Sequence, residues 1–86
     1  MSDQAIEDRI EQLEAQEREL RADEATRAAT ANEAALEQDA EKLKRIKVEL
    51  DQQWDLLRQR RALRDAGKDP DTASLRDEGT VEGYLG

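Results

Sequence analysis

Leu36, Leu43, Leu50 and Leu57 stand seven residues apart. A seven-residue apolar repeat returns to one side of a helix every two turns, so it marks a stripe that packs against another helix. Neither glycine nor proline occurs before residue 67, and Ala, Leu, Glu, Gln, Arg and Lys dominate that stretch. Such residues lose little on entering a helix. The pattern predicts an all-α chain.

The first helix is expected over about residues 3–27, with Ile6, Ile10, Leu13 and Leu20 on one side and Ser2 or Asp3 accepting from its free amides. Leu36, Ala40, Leu43, Ile46, Leu50, Trp54 and Leu57 would form the stripe of a second helix over about 33–66. Between them, Thr30-Ala31-Asn32-Glu33 has the form of a capping box and sets a turn at about 27–32. The result is an antiparallel, coiled-coil-like hairpin over 1–66, with opposing numbers adding to about 60. Ile6 then faces Trp54, Ile10 faces Leu50 and Leu20 faces Ala40. Leu57 and Leu63 project past the first helix. The same pairing can form between two chains that run straight through residue 30, a domain-swapped dimer; the capping box favours the hairpin.

Gly67 suits a left-handed helix stop, and Asp69-Pro70-Asp71 forbids further helix. Residues 67–86 read as an extended tail. Its late apolar side chains, Val81, Tyr84 and Leu85, either fold over Leu57 and Leu63 or act as a short recognition motif.

An 86-residue chain with 42% charged residues, one Trp, one Tyr and no Phe buries only a thin core. Chains of this size need staples, metals or partners. Without Cys or His, disulfides and the usual metal ligands are excluded, and a homodimer is expected. The acidic start has no apolar leader segment and no run is long enough to span a bilayer, so a cytoplasmic protein with no membrane partner is expected. The net charge of −8 is uneven: residues 1–40 carry twelve acids and four bases, 41–66 five acids and eight bases, and 67–86 five acids and two bases. The acidic first helix and basic second helix are suited to lie side by side.

Residues 48–71, VELDQQWDLLRQRRALRDAGKDPD, with VEGYL near the end, closely resemble a family of small bacterial proteins, mainly actinobacterial, catalogued only as a domain of unknown function. The family signature looks like VELDQCWDLLRQRRA, a Gly-x-Asp-Pro turn and a closing VExY. Val48 to Gln52, Trp54 to Ala62, Gly67, Asp69, Pro70, Val81, Glu82 and Tyr84 match it. Gln53 stands where the family often has cysteine, so no thiol role carries over. The resemblance implies a helical hairpin and no established activity.

No imidazole, thiolate or Gly-rich phosphate loop is available for catalysis. Glu7, Glu11 and Glu14 have a spacing that could gather magnesium, but a solvated acidic helix has the same spacing. No enzyme activity, cofactor or metal is expected. The candidate interaction residues are Arg58, Arg60, Arg61, Arg64, Trp54 and Tyr84. The arginines can pair with Asp51, Asp55, Asp65 or the acidic tail, aided by the helix dipole. They can also hold an acidic protein or nucleic acid. Trp54 is expected in the core, with an exposed hot-spot role as the alternative. These features favour a non-enzymatic protein-interaction module, with an accessory nucleic-acid module using residues 58–64 as the alternative.

Overall fold

The computed structural model describes residues 2–30, 33–77 and 79. Helix α1 (Asp3–Ala29) and helix α2 (Glu33–Asp65) pack against each other as a hairpin, followed by a 3-10 turn at Pro70–Thr72. No strand occurs among the described residues. The molecule is a rod 55 Å long, close to the ~50 Å that a 33-residue helix spans at about 1.5 Å per residue.

Ser2 starts α1 by accepting from the Ala5 amide at 3.1 Å. At its other end the Thr30 hydroxyl donates to the Arg27 carbonyl at 2.9 Å. Thr30 therefore closes α1 and does not open α2 as the capping box required. With α2 beginning at Glu33, the capping position falls on residue 32, outside the described residues.

Eight positions on each helix form the seam. In α1 they are Asp3, Ile6, Ile10, Leu13, Glu17, Leu20, Glu24 and Arg27, all at least partly covered. In α2 they are Leu36, Asp39, Leu43, Ile46, Leu50, Gln53, Leu57 and Arg60, likewise covered. Steps of three and four alternate, which is the heptad pattern of an antiparallel coiled coil. The leucine repeat supplies half of the α2 seam. The other half is Asp39, Ile46, Gln53 and Arg60, where the apolar reading placed Ala40 and Trp54. Ala40 is exposed, and Trp54 is 41% exposed.

The seam's charged ends explain this rotation. Arg60 pairs with Asp3 at 2.6 Å, and Arg27 pairs with the fully buried Asp39. Turning Asp39 and Arg60 inward turns the next residue round, including Trp54, outward by about 100°. Trp54 is then partly open to water, where an indole is not obliged to find a buried acceptor.

The Asp3–Arg60 pair sets opposing numbers to add to 63, not 60. The shift brings Leu57 level with Ile6. Leu57 is 1% exposed and does not project past α1; it joins Ile6, Ile10 and Leu56 in the main core cluster, with Leu50 and Ala73 packed on it. Each such aliphatic side chain contributes about 1.5–3 kcal/mol when fully buried. Val81, Tyr84 and Leu85, expected over this end, lie outside the described residues.

α2 stops in a full left-handed cap. Gly67 has φ 71°, its amide donates to Arg64 at 3.1 Å, and the Lys68 amide donates to Leu63 at 2.7 Å. Asp69 then accepts from the Asp71 amide at 2.9 Å and initiates the 3-10 turn. This reverses the chain, so that residues 70–77 run back along α2 as a strap.

This packing separates two apolar residues that the sequence treats alike. Leu57→Ala should cost about 2–5 kcal/mol, as for other buried leucines. Trp54→Ala should stay within about 0.5 kcal/mol of wild type. Urea unfolding followed by circular dichroism measures both; equal losses would contradict the seam.

Candidate interaction surface

The arginine run does not form one patch. Residues four apart on a helix share a side, so Arg60 and Arg64 point toward α1, while Arg58 and Arg61 lie on an exposed side of α2. The Arg60 Nε donates to Asp3 Oδ1 at 2.6 Å. Its Nη1 donates to Asp71 Oδ1 at 2.9 Å and to the Pro70 carbonyl at 3.2 Å. Arg64 Nη2 reaches both Asp3 oxygens, at 3.0 and 2.9 Å. One guanidinium thus joins the start of α1, the end of α2 and the strap. Asp71 belongs to the expected acidic tail; Asp3 was not among the expected partners. The hydrogen bond from Arg60 is the main cause holding the Asp3 and Asp71 carboxyls below the usual aspartate value, and the same two bonds raise Arg60.

Three further side chains fix the strap. Gln59 reads both sides of Ser74: its amide nitrogen donates to the Ser74 carbonyl at 2.8 Å, and its oxygen accepts from the Ser74 amide at 3.5 Å. Gln52 donates to the Arg76 carbonyl at 3.1 Å. The buried Asp55 accepts from Gln59 at 2.8 Å and pairs with Arg76 at 3.5 Å. Gln52, Asp55 and Gln59, spaced three and four apart, form a polar stripe beside the leucine seam. That spacing was visible in the sequence, but nothing in it named the backbone they would bind.

On another side of α2 lie Lys44, Lys47, Asp51, Trp54, Arg58, Arg61 and Asp65, again at alternating steps of three and four. All but Asp51 are exposed. This stripe is turned about 100° from the seam and lies away from the strap contacts. It carries four cations and two acids around one indole, on a chain of net charge −8. Tyr84, the remaining candidate, lies outside the described residues. Among the described residues no three carboxylates gather in a way that could hold a metal ion, and no helix is long and apolar enough to cross a membrane.

The Arg60 cluster predicts a defined acid response. Asp3 and Asp71 have depressed values in the folded state, so their contribution is complete above the usual aspartate value of 3.8. It is lost as pH falls through the depressed folded values. Thermal melts between pH 2 and 7 should show a steep acid limb for wild type and a shallower one for Asp3→Asn. Arg60→Lys should lower the midpoint at pH 7, because an ammonium cannot match the planar fork that spans these acceptors. An unchanged midpoint would remove Arg60 from its central place.

The family model described as "Protein of unknown function (DUF2630)" matches residues 2–86. One protein of Mycobacterium bovis and one from each of two Mycobacterium tuberculosis strains, all described as uncharacterised, are 57% identical to this chain over 49 residues. That segment is 57% of this chain and 56% of each relative, so the match spans little more than half of their length. No solved structure matches. With a helical hairpin in place and nearly every residue covered by the family model, the chain belongs to the family of proteins of unknown function DUF2630.

Proposed function

We propose that this chain is a non-enzymatic, cytoplasmic protein-interaction module whose docking side is the Trp54 stripe of α2. The observation that carries the reading is Trp54 itself: a large aromatic, 41% exposed, placed between Lys47 and Asp51 on one side and Arg58 and Arg61 on the other. Aromatic and arginine side chains dominate binding energy where a partner excludes water from them. The surrounding cations favour an acidic helix whose apolar residues cover the indole. They steer encounter more than they add affinity. Tyr84 belongs to the proposal only as a second, separate contact. The homodimer is proposed on the same stripe, because two copies meeting there would cover both indoles.

Trp54 is the chain's single tryptophan, so it reports on its own burial. Partner binding should shift its emission to the blue. Trp54→Ala should weaken partner capture from lysate at least ~10-fold, which corresponds to about 1.4 kcal/mol, with the melting temperature nearly unchanged. Sedimentation equilibrium should show a dimer for wild type and a monomer for Trp54→Ala. Capture and assembly that survive the substitution would count against this stripe.

The alternative is an accessory nucleic-acid module, and one observation favours it: Lys44, Lys47, Arg58 and Arg61 share the stripe. Arg60 and Arg64 support it less, since both pair with Asp3. Fluorescence anisotropy with short RNA and DNA at low salt, where phosphate contacts are strongest, separates the two readings.

A further inference from the structure

We infer that the Trp54 stripe docks on the same stripe of a second copy of this chain, antiparallel, in the register where opposing residue numbers add to 112. The inference rests on the interaction reading above and deepens it, since it names the occupant and the contacts that select it.

The stripe runs Lys47, Asp51, Trp54, Arg58, Arg61 and Asp65. Its steps alternate between four and three, so two copies can stack it layer on layer, as α1 and α2 stack their seams. Read from its two ends, it is complementary to itself. Lys47 lies against the second copy's Asp65, Asp51 against the second copy's Arg61, and Trp54 against the second copy's Arg58. A twofold axis beside Leu56 repeats each contact, as in any isologous pair. Every charge–charge layer then joins a cation to an anion. Each indole receives a guanidinium on its face, an attraction that grows as water leaves, and the lysine and arginine stems add apolar cover.

The neighbouring registers are unfavourable. One heptad lower, at 105, Lys47 meets Arg58 and Lys44 meets Arg61. One heptad higher, at 119, Arg58 meets Arg61. A parallel pair sets each charge against its own kind. Like charges brought together across an interface oppose association. At 112, Lys44 falls opposite residue 68, beyond the end of α2 at Asp65, and enters no layer.

The groups are open to such a partner. All six are exposed except Asp51, which is partly covered. Lys47 and Asp51 stand four apart on the helix, as do Arg61 and Asp65, yet none of these four enters an ion pair among the described residues. The seam with α1 lies about 100° round α2 on one side. Gln52, Asp55 and Gln59, which hold the strap, lie on the other.

Charge exchange on the full chain tests the register. Sedimentation equilibrium should give a dimer for wild type. Asp51→Arg and Arg61→Asp should each raise the dimer Kd at least ~10-fold, because like charges then meet on both sides of the axis. Both changes in one chain should bring Kd back to within ~3-fold of wild type, the signature of a direct pair. Lys47→Asp and Asp65→Lys, at exposed positions, should repeat the pattern of single loss and joint recovery. Circular dichroism melts check that every variant keeps its helices. Single variants that dimerise like wild type, or double variants that stay monomeric, would overturn the register. A monomeric wild type that still captures another protein through Trp54 would overturn the inference and leave the docking reading standing. Dimer and capture that both survive Trp54→Ala would remove the docking reading, and this inference with it.

Discussion

Arg60 places a permanent positive charge where only 7% of the residue reaches solvent, and acceptors from separate parts of the chain converge on it. Leaving such a charge unpaired is strongly unfavourable, so the hairpin and the strap must close together to satisfy it. A buried ion pair adds little net stability compared with well-packed apolar residues. Its effect here is selection. In both seams an Asp lies toward the helix start and an Arg closes the far end: Asp3 and Arg27 on α1, Asp39 and Arg60 on α2. An antiparallel pair brings opposite charges together at both ends, whereas a parallel pair would set Asp beside Asp. Sliding the helices by one heptad would keep apolar layers in contact but break both clamps. Orientation and register are thus fixed by charge, on a core too thin to specify them alone.

The strap turns a two-helix pair into something closer to a three-element fold. A hairpin this narrow leaves most of each helix wet, and α1 shows it: apart from Arg9, only the seam positions are covered. α2 is different. From Val48 to Gln53 every residue is at least partly covered, and the buried Asp55, Leu56 and Leu57 follow. Arg9 contributes from α1 by pairing with Glu49 at 2.7 Å. The strap supplies the rest through backbone contacts to Gln52 and Gln59 and through Ala73 against the core. This arrangement has a cost. Asp39 Oδ2 and Asp55 Oδ1 are buried and accept no hydrogen bond from the described residues, and each such atom is worth about 1–3 kcal/mol of desolvation.

Helices, hairpin and stop were legible because they rest on local rules. The glycine-free stretch, the leucine repeat and Gly67 each act within a few residues. Trp54 was misread for the opposite reason. A period near 3.6 leaves the second seam position ambiguous between steps of three and four, and apolar content then chose Ala40 and Trp54 over Asp39 and Gln53. Only the partner helix decides, since Asp39 becomes favourable inside when Arg27 is there to meet it. The role of Arg60 was hidden likewise. Its neighbours Arg58 and Arg61 have the same chemistry, and only its seam position, with Asp3 opposite, sets it apart. The strap contacts were beyond reach, because a glutamine that binds backbone leaves no matching signal in the side chains it binds.

The same division bears on function. α2 presents three surfaces at different angles: the seam, the strap side and the Trp54 stripe. The first two are occupied within the chain, and their polar residues are explained by what they hold. The Trp54 stripe is not explained in that way. Its tryptophan is 41% exposed, and among the described residues Lys44, Lys47 and Arg61 enter none of the ion pairs that fix the hairpin. A solvated helix needs charge for solubility, which accounts for lysine and arginine there, but not for an indole among them. Exposed aromatic surface is unfavourable in water. The stripe sets one indole among exposed cations on a helix whose other large apolar side chains are at least partly covered.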